Sequence, residues 1–189
     1  MLTKSASERS FVINRNSTLK LEGKTNVNSF TCDCTESFEP QTYRVERTTN
    51  SGLTTHFSRT KLDLRVNSLD CGNRMMNNDL RKALNAERHP NITIELLQVK
   101  EDNCNKLTEL KDWIKLKALL RLTINGQSQD SWLDVTANKI TGTRYRFIGS
   151  KRICMSDFGV VPPTALLGTV KVQDEIKISL DLEVSIDYQ

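Results

Sequence analysis

Alternation with a period of two runs through much of the chain. Ile114, Leu116, Ala118, Leu120, Leu122 and Ile124 are separated mostly by Lys115, Lys117, Arg121 and Thr123, the pattern of a strand with one face buried and one in water. Near the C-terminus Ile176, Ile178, Leu180, Leu182, Val184 and Ile186 alternate with Lys177, Ser179, Asp181, Glu183 and Ser185. Each run exceeds the usual ~5–6 residues and reaches roughly 35 Å at ~3.3 Å per residue. Strands of that length suit a barrel. Shorter alternations over 19–25, 29–37, 62–66, 92–99, 132–140 and 143–155 bring the expected number of strands to about eight, separated by turn-rich stretches such as Thr49-Asn50-Ser51-Gly52. Asn125-Gly126 predicts a tight hairpin after Ile124. The apolar face changes parity between Ile94/Leu96 and Leu97/Val99, which predicts a bulge near Leu96.

One segment breaks the β pattern. Met76, Leu80, Ala83 and Leu84 fall at i, i+4, i+7 and i+8, with Asn77 or Asn78 as the expected cap and His89-Pro90 as the stop. The helix must cover an open end or a flank of the barrel. With no repeat, low-complexity tract or shift in composition, one barrel domain is expected over 11–189, preceded by residues 1–10 as an N-terminal tail or added remnant. Its interior, rich in Ile, Leu, Val and Phe, has two readings on periodicity: a filled core, or the apolar cavity of an eight-stranded lipocalin-like barrel.

Composition narrows the function. A chain of 189 residues buries roughly 70% of its unfolded surface, enough to fold without metals or disulfides. No apolar run approaches the ~20 residues of a spanning helix, and MLTKSASERS carries no signal-type stretch; the expected source is cytosolic, or exported with its leader replaced by Met. The 27 basic and 23 acidic residues leave a net charge of +4, but the charges interleave, as in Asp63/Arg65, so nucleic acid is not implied. Arg144-Tyr145-Arg146-Phe147 lacks the glycine pattern of an RNA-recognition strand.

Catalysis has no anchor. His56 and His89 are the two histidines, and neither sits in a nucleophile motif. The carboxylate pairs Asp63/Asp70 and Asp181/Glu183 lie on faces that are polar throughout, and no phosphate-binding glycine loop is present. Cys32 and Cys34 are too close for a paired zinc site. The five cysteines, Cys32, Cys34, Cys71, Cys104 and Cys154, allow at most two intrachain bridges and leave at least one free thiol.

Three stretches carry a family resemblance. Asn67 to Ile94, through Asp70-Cys71-Gly72-Asn73-Arg74 to His89-Pro90-Asn91-Ile92-Thr93-Ile94, resembles the central strand, loop, helix and "P-x-I-x-F" strand of the YceI-like family. Leu122-Thr123-Ile124-Asn125-Gly126 is similar to its "L-T-I-x-G" hairpin, and Met155-Ser156-Asp157-Phe158-Gly159 to its "x-S-D-F-G" element. His89 stands where the family usually has Tyr, and Ile94 where Phe is frequent. The resemblance implies an all-β fold, an extended eight-stranded antiparallel lipocalin-like barrel with one short helix. It also implies a non-enzymatic carrier of a polyisoprenoid, an isoprenoid quinone or a fatty-acid-like lipid, with no other cofactor or metal. A barrel with a filled core serving a structural or interaction role is the alternative.

On that reading, parity places ligand contacts at Leu116, Ala118, Leu120, Leu133, Val135, Phe147, Leu180 and Leu182, beside helix residues Leu80 and Leu84. Asn73, Arg74, Asn77, Asp79 and Arg81 are the expected polar rim. Lys115, Lys117 and Arg121 are read as a solvated face, so membrane contact is at most transient; a homodimer is compatible with the resemblance. The family implies a periplasmic or otherwise exported protein, with the cytoplasm as alternative. In an oxidising compartment Cys32–Cys71 is the first-choice bridge, with Cys34 competing for the same partner.

Overall fold

The computed structural model describes residues 6–48, 54–101, 113–165 and 167–187. Strands β1 (Ala6–Ile13), β2 (Thr18–Thr25), β3 (Ser29–Cys34), β4 (Gln41–Thr48), β5 (Thr54–Ser58), β6 (Lys61–Arg65) and β7 (Leu69–Asp70) precede helix α1 (Arg74–Ala83). Strands β8 (Asn91–Glu101), β9 (Ile114–Ile124), β10 (Gln127–Thr141), β11 (Arg144–Cys154), β12 (Thr164–Ala165) and β13 (Val170–Asp187) follow it. Cys104 and the turn expected over 49–52 lie outside the described residues.

Eight antiparallel strands form a ring in the order β1-β4-β5-β8-β9-β10-β11-β13, closed by β13 pairing with β1. Strand length makes the ring fork at one end. β13 is long enough to hold two partners in succession along one edge, β2 through Ile176↔Gly23 to Asp181↔Thr18 and then β1 through Val184↔Ile13 to Asp187↔Ser10. β8 does the same with β6 over 91–95 and β5 over 98–100. β3 and β7 extend the β2 branch.

The alternation read from sequence is the in/out alternation of the wall: Leu116, Ala118, Leu133 and Val135 are buried, while Lys117 and Asp134 between them are exposed. The register of β8 on β9 shifts between Leu96 and Gln98, the bulge that the parity change demands. Asn125 and Gly126 both take positive φ, 49° and 75°, the requirement of a type I′ hairpin turn.

Five expectations are corrected. Ring strands β1, β4 and β5 were absent from the alternation: Phe11-Val12-Ile13 are consecutive apolar residues, and Thr54–Ser58 is short and polar. Residues 6–10, expected as tail, belong to β1 and pair with β4. β3 ends at Cys34 rather than reaching 37, because Glu36 turns to accept from the Arg65 backbone N–H (3.1 Å), Arg65 Nη2 (2.7 Å) and Ser68 Oγ (2.8 Å). The helix cap is Asn73, which accepts from the Met75 N–H at 2.8 Å, and not Asn77 or Asn78. At its other end the helix stops before His89-Pro90. Asn85 at φ 51° sends its N–H to Lys82 O, and Ala86 N–H reaches Arg81 O, a Schellman closure.

Cys32 and Cys71 are joined by a disulfide, and register explains the choice. β3 and β7 pair Cys34↔Leu69 and Asp33↔Asp70, so the next opposed positions are Cys32 and Cys71. Cys34 lies across from Leu69 and stays a free thiol, as does Cys154.

Candidate functional site

Among the described residues, most buried apolar side chains fall in two clusters. One, around Leu116, Ala118, Leu133, Val135 and Ala137, lies in the middle of the barrel. The other lies toward the forked end under α1, and within it is a cavity of about 70 Å³. Leu80, Ala83 and Leu84 of the helix form one wall; Leu122, Ile124 and Ile153 of β9 and β11 stand among the other walls. Every residue lining it is apolar, proline or cysteine, and Cys32 places the disulfide in its wall.

The three stretches that carry the resemblance meet at this end of the barrel. The residues after β11, Met155–Phe158, make a short 3-10 turn that buries Met155 and Phe158 against the cavity, and Gly159 ends it at φ 65°. Asn125 of the hairpin donates from Nδ2 to the carbonyls of Phe158 and Gly159, both at 3.3 Å. His89 lies so close over Gly126 that a Cβ there would come within 2.7 Å of its ring; glycine is required by contact as well as by φ. Ser156 donates its N–H and hydroxyl to Asp174, and these bonds hold the Asp174 carboxyl below the usual range.

Of the contact positions named from parity, Leu80 and Leu84 line the cavity. Leu116, Ala118, Leu133 and Val135 are buried in the mid-barrel cluster, Leu120, Phe147 and Leu180 pack against it, and Leu182 packs against the first. These eight face inward but do not border that cavity; Leu116, Val135 and Leu180 border a second, more open space of about 760 Å³ beside β10 and β11. Met155, Phe158 and Phe30, which do, were missed. The apolar pair within Met155-Ser156-Asp157-Phe158-Gly159 was the signal that could have found two of them.

The five polar residues near the helix start divide by role. Asn73 is the cap. Asn77 accepts from the Cys71 N–H (2.7 Å) and donates to Asp70 (2.9 Å), tying the disulfide loop to the helix; that side-chain bond, with the Gly72 N–H, lowers the pKa of Asp70. Arg81 donates to Asn78 at 3.3 Å, Arg74 is exposed and Asp79 half-buried. On the outer face Arg121 grips Asp130 through two bonds (2.7 and 2.9 Å), and Lys117 lies 3.7 Å from Asp134. His56 is exposed on β5. Among the described residues no cluster of three or more His, Cys, Asp or Glu could hold a metal ion.

Comparison with known proteins gives the fold a family. No curated protein matches the sequence. The chain superposes on a polyisoprenoid binding domain from Saccharophagus degradans implicated in plant cell wall breakdown with a TM-score of 0.61 at 11% identity, covering 94% of this chain and 98% of that one. It superposes on BcnA of Burkholderia cenocepacia with a TM-score of 0.58 at 18% identity, covering 91% and 96%. At these identities the likeness shows a shared fold. The YceI-like domain model matches residues 2–184, nearly the whole length, and the chain therefore belongs to the YceI-like family.

Proposed function

We propose that the chain binds a long apolar or amphiphilic molecule, a polyisoprenoid, quinone or fatty-acid-like lipid, in the space beneath α1, and that it does so without catalysis. The observation that carries this is the cavity lining, where no polar side chain competes with a hydrocarbon. Its likeness to a protein described as a polyisoprenoid binding domain supports the same reading. Burying a CH₂ is worth ~0.8 kcal/mol, so about twenty carbons offer ~16 kcal/mol gross before ordering costs. A wall without directional groups is enough for tight binding.

The volume of about 70 Å³ is well below the ~300–1,000 Å³ of ligand pockets, so a long chain must displace part of the lining. The helix is the part best suited to move. Within Arg74–Ala83 no residue is fully buried, and it meets the barrel through few side chains, whereas the strands are held by ladders. The small volume is also the observation that favours the second reading, a filled barrel with no ligand. An exported location, where the Cys32–Cys71 bridge persists, belongs to the proposal. Native mass spectrometry of the purified protein, with solvent extraction and a titration with geranylgeraniol, tests it. Co-purified lipid or saturable uptake is expected; a clean protein that takes up no geranylgeraniol would leave the filled barrel.

A further inference from the structure

The ladder between β10 and β11 is incomplete. It runs from Thr141↔Arg144 to Val135↔Gly149 and stops there, although β10 continues back to Gln127 and β11 on to Cys154. Continued pairing would set Leu133 against Lys151 and Ser131 against Ile153. Instead the two strands part, and isolated bonds bridge the gap: Lys151 Nζ donates to the Trp132 carbonyl (3.1 Å) and Gln129 Nε2 to the Asp157 carbonyl (3.3 Å).

The inner face changes character at the same point. Gln127, Gln129 and Ser131 oppose the inward residues Ile124, Leu122 and Leu120 of β9, so they occupy inward positions, yet Gln127 and Gln129 are exposed. Solvent therefore reaches these inward positions. Lys151 also holds an inward position, opposite Ile178 and two residues before Ile153, and both of those neighbours line the cavity. A half-buried ammonium stands where the apolar lining begins. Among the described residues it has no carboxylate partner, unlike Arg144, Arg146 and Arg152 on the outward side of the same strand, each paired with an acid on β13.

We infer that the slot between β10 and β11 is the mouth of the cavity, and that Lys151 receives an anionic head group, carboxylate or phosphate, of an amphiphile whose tail passes Ile153 and Ile178. This rests on the proposed apolar-ligand function and specifies its ligand class. An ammonium with one carbonyl partner keeps donors for an anion, and Gln127, Gln129 and Ser131 supply neutral polar groups on the opposite lip. Neutral alcohols of the same tail lose only the charged contact.

The test uses the whole protein and displacement of the uncharged probe N-phenylnaphthylamine. Oleate is compared with oleyl alcohol, and farnesyl phosphate with farnesol, so that the two pairs separate a carboxylate from a phosphate source. The wild type should prefer the anion in at least one pair, by about tenfold, the scale of one hydrogen bond to a charged group. Lys151→Met should remove that preference without weakening the alcohol, and Lys151→Arg should keep it. Equal weakening of anion and alcohol in Lys151→Met, or an unchanged preference, would overturn the assignment and leave Lys151 a wall residue. Alcohols bound without any preference by the wild type would overturn the head-group assignment alone; no binding of any of the four would overturn the apolar-ligand function with it. Should Lys151→Met not fold, the wild-type preference must shrink at high salt, and its persistence there would count against the inference.

Discussion

Breaking the Cys32–Cys71 bridge gives a perturbation whose size follows from the chain itself. The two cysteines are 39 residues apart, and the loop-entropy relation gives ~4 kcal/mol of stabilisation at that separation. Domains are stable by ~5–15 kcal/mol, so the bridge is a large share of the whole. The variant of choice is Cys32→Ala/Cys71→Ala. Cys32 is 1% exposed, and a serine there would add the penalty of a buried hydroxyl without a partner. With a urea m-value of ~2 kcal/mol per molar, the unfolding midpoint should fall by ~2 M, followed by tryptophan fluorescence. The native register of β3 on β7 should survive, since Cys71 N–H still reaches Asn77 Oδ1. Thiol titration of the denatured, unreduced protein should find three reactive cysteines, the five of the sequence less the two bridged. Five reactive thiols, or a midpoint unmoved by reduction, would refute both the bridge and the exported location it supports.

Glu36, with its side chain 7% exposed, is held at a pKa of about 2 against an ordinary 4.5, chiefly by the Arg65 guanidinium, with Ser68 and the Arg65 backbone N–H adding to it. Because the folded value is depressed, this stability is present above pH ~4.5 and is lost as pH falls through that value toward ~2; Glu36→Gln should lower stability by about 2 kcal/mol near neutrality and flatten the acid limb of the stability profile. Two tryptophan substitutions locate the binding space: Ala83→Trp on the helix wall of the cavity should abolish uptake of geranylgeraniol with the fold intact by circular dichroism, whereas Ala118→Trp in the mid-barrel cluster should cost about 1–3 kcal/mol by overpacking and leave uptake in place. The reverse pattern of uptake would move the site to the middle of the barrel. Gly23→Ala drives a Cβ into Phe30 Cζ and to 2.8 Å from Ile176 Cδ1, so a drop of about 1–3 kcal/mol in chemical unfolding is expected; no drop would mean that Phe30 swings freely into the cavity.

Periodicity alone determined five of the eight ring strands, β8, β9, β10, β11 and β13. A period of two admits one buried face per strand, so Ile114–Ile124 and the C-terminal run declared themselves as strands. The parity change at Leu96 and Leu97 located the bulge by the same rule, and Asn125-Gly126 set a turn for which few other residue pairs have the backbone freedom. The helix was visible in its apolar spacing, but not its cap: Asn73, Asn77 and Asn78 are chemically equal, and only the approach of the chain from β7 decides which begins the first turn. Among the strands that escaped, β1 carries consecutive apolar residues and β5 is short and polar; β4 does alternate, with Tyr43 and Val45 buried and Thr42 and Arg44 exposed, but two apolar positions are too few to stand out. Parity likewise identified which side chains face inward without saying which of them touch empty space. Inward residues of β9, β10 and β13 close on one another in the middle of the barrel, and the wholly apolar space opens where β2, β3 and β6 fork away beneath α1. That division, and the parting of β10 from β11 that sets Lys151 at the edge of the apolar lining, depend on how strands of unequal length meet around a ring. A linear sequence carries the face of each residue; the distance across the barrel to the opposite wall exists only once the ring has closed.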